Sequence, residues 1–61
     1  MSRRQMRVFP VFRVDLDKLA YILGIEPRKA DQGRRYLLVT EDHLPLVRSY
    51  GMPHIVEEHH G

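Results

Sequence analysis

Glu26-Pro27-Arg28-Lys29-Ala30-Asp31-Gln32-Gly33-Arg34-Arg35-Tyr36-Leu37-Leu38-Val39-Thr40 is the stretch on which the fold turns. Its second half, Arg35–Thr40, is rich in β-branched and aromatic residues and reads as a strand whose middle is apolar on both faces. Its first half is ambiguous. Proline is accepted at a first helical position, so Glu26-Pro27 opens either a turn or a short helix. Only Arg28, Lys29, Ala30, Asp31 and Gln32 follow before Gly33, with Ala30 the sole apolar residue among them. Residues 27–32 are therefore one helical turn or a loop.

Upstream, Arg7–Val14 alternates β-branched and aromatic residues and predicts a first strand. Pro10 cannot donate a ladder hydrogen bond, which puts that strand at a sheet edge or at a bulge. On a regular strand Phe9 and Phe12 face opposite ways, so one of them needs cover from elsewhere, from a bulge, a second copy or a partner. Leu16, Leu19, Ala20 and Leu23 form one apolar helical stripe. Asp15 is the expected N-cap, Asp17 suits the first turn, and Gly24 ends the helix in a left-handed conformation. This gives a helix over 16–23.

Downstream, Glu41-Asp42-His43-Leu44-Pro45 opens a second helix. Capping by Thr40 would carry Pro45 beyond the first turn, whereas capping by Asp42 keeps it at a tolerated position, so Asp42 is the expected cap. Gly51 and Pro53 close this helix. Residues 54–61 read as a polar tail in which Ile55-Val56 offers at most a short strand. The expected organisation is a single domain, with a flexible basic arm at 1–6, a folded core at 7–53 and the tail at 54–61.

The chain has 61 residues, 43% of them hydrophobic and 30% charged, and no cysteine. That is the composition of a small globular domain without disulfides or Cys-ligated zinc. So small a core leans on tight packing, a homodimer or a bound partner. No run approaches the length of a membrane span, and Pro10, Arg13, Asp15, Asp17 and Lys18 interrupt any apolar leader after Arg3, Arg4 and Arg7. The reading is a cytoplasmic protein without a membrane partner. The net charge of +2 is unevenly spread, with one basic group at Arg3, Arg4, Arg7 and Arg13 and another at Arg28, Lys29, Arg34 and Arg35. Two such patches suit a polyanion.

No catalytic centre is evident. His43 lies beside Asp42, but Ser2 and Ser49 are the only serines and neither sits in a nucleophile motif. His54, His59, His60, Glu57 and Glu58 have ligand chemistry, yet adjacent histidines on a mobile tail rarely close a metal site. The expectation is no enzyme, no cofactor and no metal. Tyr21, Tyr36 and Tyr50, with Phe9 and Phe12, divide between building the core and stacking bases.

Two stretches resemble one family. Leu16–Ile25 is similar to the first helix of MerR-type and phage excisionase-type winged helix-turn-helix domains. Asp31-Gln32-Gly33-Arg34-Arg35-Tyr36, followed by a strand and Thr40-Glu41-Asp42-His43-Leu44, resembles their wing and the helix after it. The resemblance implies an α+β, winged-helix-like fold of β-α-(short α)-β-α order, with a two- or three-stranded antiparallel sheet and two main helices. It implies a small accessory or regulatory protein of transcription, of phage or mobile-element type, bound to double-stranded DNA. The binding residues would be Arg28, Lys29, Arg34, Arg35 and Tyr36, assisted by Arg3, Arg4 and Arg7. With the span between Gly24 and Gly33 so short, the wing turn rather than a recognition helix would make the contact. The Leu-Ala-x-x-Leu-Gly-Ile phrase also resembles the small N-terminal module of bacterial translation initiation factors, which implies an RNA- or ribosome-associated role. The alternative class is a protein-interaction module that docks on a polymerase, ribosome or other host complex through the edge strand Arg7–Val14, with Phe9, Val11 and Phe12 as its contact.

Overall fold

The computed structural model describes residues 4–59. The order of elements is β1 (Gln5–Pro10), α1 (Arg13–Leu23), β2 (Arg28–Lys29), β3 (Arg35–Thr40), α2 (Leu44–Ser49) and β4 (His54–Glu58). The strands form one antiparallel sheet in the order β2-β3-β1-β4. This is the split β-α-β connectivity: each half of the chain carries a helix between two strands that are not neighbours. The fold is α+β as the sequence implies, with four strands where two or three were expected.

One face of the sheet carries the aliphatic core. Val8, Leu37 and Val39 from the central strands meet Leu16, Leu19 and Ala20 of α1 and Val47 of α2. Met6, Leu23, Ile25, Leu44, Met52 and Val56 pack around them. Strand alternation sends Met6 and Val8 inward and Arg7 and Phe9 outward.

Several local expectations are revised. Helix α1 begins at Arg13, not at 16, with Phe12 at its N-cap and no side-chain cap, so Asp15 lies in the first turn. The amide of Val11 donates to the carbonyl of Pro53 at 3.0 Å, which ties the link between β1 and the helix to the chain entering β4. The C-terminal end is as expected. Gly24 has φ 69°, and the amides of Gly24 and Ile25 bond back to the carbonyls of Tyr21 and Ala20, the paired bonds of a Schellman motif.

Thr40 caps after all. Residues Glu41–His43 form a 3-10 turn in which the Thr40 side chain accepts from the His43 amide and the Thr40 amide donates to His43 Nδ1 at 3.4 Å. The extra turn moves the start of α2 to Leu44, so Pro45 falls in its first turn and no helical bond is lost. His43 is a structural residue here.

Residues 27–32 are not a helix. Arg28 and Lys29 pair with Tyr36 and Arg35, and Asp31–Gly33 is a tight 3-10 turn with Gln32 and Gly33 at positive φ. The amide of Ala30 donates to the carbonyl of Arg34 at 2.7 Å, closing the hairpin. The expected polar tail contains β4, which pairs with five of the six residues of β1, from Met6–Glu58 to Pro10–His54.

Strand β1 is therefore central, not an edge. Backbone bonds from His59 to Gln5 and from Val11 to Pro53 show that the odd residues of β1 turn their amides toward β4 and the even ones toward β3. Pro10 is even, so its missing donor falls on the β3 side, where pairing runs only from Gln5–Thr40 to Val8–Leu37. The proline ends a ladder rather than marking an edge. The predicted basic arm at 1–6 is also partly in the sheet, since Gln5 and Met6 belong to β1. Among the described residues no helix is long and apolar enough to cross a membrane.

Candidate functional site on the open face of the sheet

Both helices contribute to the core on one face of the sheet, and the other face has no helix over it. Strand alternation would leave Phe9 and Tyr36 bare there. They are nevertheless only 5% and 7% exposed. Their rings cover one another across β1 and β3, with centroids 5.4 Å apart and planes tilted by 43°. Such a pair contributes about 0.5–1.5 kcal/mol beyond the area it buries.

Two arginines complete the cover, each crossing to the other strand's ring. The Arg34 guanidinium lies 4.2 Å from the Phe9 centroid, and the Arg7 guanidinium lies 5.3 Å from that of Tyr36. The chain repeats one device twice: Arg7-Val8-Phe9 on β1 and Arg34-Arg35-Tyr36 leading into β3. In each triplet the arginine and the ring share a face. Antiparallel pairing then sets each arginine diagonally over the other strand's aromatic. Cation–π contacts of this kind are worth about 0.5–1 kcal/mol at exposed sites and more when desolvated.

Around the rings lies an open concavity of ≈ 580 Å³ lined by Arg7, Phe9, Lys29, the Asp31–Gln32 turn, Arg34, Tyr36 and Glu57. Glu57 stands 3.8 Å from Arg34, with both side chains about half exposed. A solvated pair at this distance contributes about 0–1 kcal/mol, so an anion can displace the carboxylate. Arg7 Nε donates to His59 Nδ1 at 3.2 Å at the other side of the platform.

The residues expected to bind nucleic acid divide. Arg7, Lys29, Arg34 and Tyr36 come together at this concavity. Arg28 opposes Tyr36 in the hairpin and so shares its face, above a shallow recess with Ile25, Glu26, Pro27 and Leu38. Arg35 lies one residue out of phase with Arg34; it lines a recess with Pro10, Val11, Arg13, Leu16 and Gly33, and meets Arg34 at a shallow recess beside Phe9, Val11 and Ile55. Arg4 is held by acids: its guanidinium donates to Glu58 at 2.7 Å and lies 3.4 Å from Glu41. The bond to Glu58, then the charges of Glu58 and Glu41, raise its pKa above the usual arginine value. Arg4 is not an unengaged basic arm. Arg3 lies outside the described residues, as does His60.

The interaction residues divide as well. Phe9 is covered, whereas Phe12 has left the strand and is 59% exposed beside an equally exposed Val11. Phe9 is the residue whose role the sequence hid. The matching Arg-x-Phe and Arg-x-Tyr triplets were the available signal, and only the register of β1 on β3 turns them into one site.

Comparison with family models, with curated proteins and with solved structures finds no match to this chain.

Proposed function

We propose that the protein is a non-catalytic, cytoplasmic nucleic-acid-binding protein that holds a single strand across the open face of its sheet. The observation that supports this most is the reciprocal stack of Arg34 on Phe9 and Arg7 on Tyr36 over the two central strands. Single-stranded nucleic acid is held where a basic track follows the backbone and flat groups receive the bases. Four-stranded sheets with aromatics on their surface are one platform for this, and guanidinium planes serve as well as rings. Here Phe9 covers one side of the Arg34 guanidinium, and the half-exposed side chain leaves the other side to a base. Arg7, Arg28 and the edge of the Arg34 guanidinium that now faces Glu57 supply charge for phosphates along the same face, with Lys29 bordering the concavity.

The wing-turn reading, with duplex DNA as ligand, requires Arg34 and Arg35 to act together on one backbone. Only Arg34 of the two lies on the ring platform, which favours the sheet face instead. The test is an anisotropy titration with a labelled uridine or thymidine decamer and with a duplex of equal length, at low and moderate salt. Single strands should bind more tightly than the duplex. Arg7→Ala with Arg34→Ala should lower the salt slope by about 1.4, since each phosphate contact on a single strand contributes about 0.7. Failure to bind any single strand at low salt, or a clear preference for the duplex, overturns the reading.

A further inference from the structure

We infer that β4 is a self-association edge, through which two copies of the chain pair antiparallel about a twofold axis at Val56. Pairing with β1 fixes which backbone groups of β4 are spent. His59 donates to the Gln5 carbonyl and Val11 donates to the Pro53 carbonyl, so the odd residues of β4 turn toward β1. The amides and carbonyls of His54, Val56 and Glu58 therefore turn outward, and among the described residues no hydrogen bond uses them. Nothing on this edge blocks addition of a strand: it holds no proline, no bulge and no inward-pointing lysine.

The opposite edge of the sheet is a poorer partner. Strand β2 has two residues against the five of β4. Joining β4 to the β2 of another copy would also leave an edge free at each end and propagate without closing. Pairing β4 with itself closes after two copies.

The side chains select the register. With Val56 opposite Val56 of the second copy, all five residues overlap, three pairs can exchange both backbone bonds, and His54 opposes Glu58 at each end. Sliding by one pair toward the C-terminus sets Glu57 against Glu57. Sliding the other way sets Ile55 against Ile55 and cuts the overlap to residues 54–56, with two bonded pairs instead of three. A parallel arrangement brings Glu57 and Glu58 of both copies together. The chosen register also gives Glu58 a position between Arg4 of its own copy, 2.7 Å away, and the second copy's imidazole. Its consequence is an eight-stranded sheet with two open faces side by side. The inference does not depend on what those faces bind.

Sedimentation equilibrium over a dilution series, joined to amide exchange of the full chain, tests it. A monomer–dimer equilibrium is expected, with exchange at His54, Val56 and Glu58 slowing as concentration rises and exchange at Arg28 and Lys29 unchanged. His54→Glu sets two carboxylates together at both ends and should raise the dimer dissociation constant about tenfold. Adding Glu58→Lys to that variant reverses both charges and should restore association. Either variant can be checked for folding by its far-ultraviolet circular dichroism, and the concentration dependence of exchange in the unaltered chain stands without them. A monomer at every concentration overturns the inference, as does growth beyond the dimer. A dimer indifferent to His54→Glu, or not restored by the double change, overturns it too.

Discussion

The two faces of this sheet bury their side chains by different means. Under the helices, Val8, Leu37 and Val39 are covered by Leu16, Leu19, Ala20 and Val47, aliphatic groups brought from other elements. On the open face, Phe9 and Tyr36 are covered by arginines of the same two-strand unit. The first kind of cover is permanent, because removing it exposes the core to water. The second is made of charged groups on flexible stems, which keep their heads in water and can exchange a ring or a carboxylate for a ligand. A domain this small has closed one face with helices and covered the other with side chains of the sheet itself.

The sharpest way to break that contrast is to truncate one side chain on each face. Leu19→Ala, at a fully buried position, should cost about 2–5 kcal/mol in urea unfolding, a large part of what so small a domain has. Phe9→Leu should cost about 1–2.5 kcal/mol, the value of the ring pair and the arginine contact it removes, because the replacement is still apolar. It should nevertheless weaken single-strand binding about tenfold, as the platform under Arg34 is lost. Equal losses of stability at the two positions would erase the distinction between the faces.

Smaller effects sharpen it. Arg34→Gln should cost about 0.5–1 kcal/mol in unfolding, the value of its contact with the Phe9 ring, since its ion pair is solvated. It should also lower the salt slope of binding by about 0.7, read from anisotropy at several salt concentrations. Glu57→Gln removes the carboxylate that competes for Arg34. Affinity should rise by no more than the value of that pair, about 0–1 kcal/mol, and the gain should vanish in the Arg34→Gln background, as a double-mutant cycle would record.

Much of the local structure was legible. The stripe Leu16, Leu19, Ala20, Leu23 and the glycine at 24 mark a helix and its end by themselves, because period and positive φ are properties of neighbouring residues. The strand at 35–40 and the tightness of the turn at Gly33 were legible for the same reason. Strand β4 was not. His54–Glu58 holds two apolar residues among polar ones, and it becomes a strand only because β1, nearly the whole chain away, lacks a neighbour on that side. The centrality of β1 followed from the same long-range pairing, and with it the meaning of Pro10. The site was half visible: Arg34, Tyr36 and Arg7 stood out as basic or aromatic residues in basic stretches, whereas Phe9 read as a partner contact.

The sequence alone determined α1 and its aliphatic face, the strand at 35–40, the cap at Gly24, and the presence of two arginine–aromatic triplets, since each depends on residues a few positions apart. Tertiary structure decided which strands are neighbours, which face the helices cover, and that Arg7 rests on Tyr36 while Arg34 rests on Phe9. Those outcomes depend on β1 pairing with both β3 and β4, and a pairing between segments thirty to fifty residues apart is selected by the packing of the whole chain, not by any stretch of it.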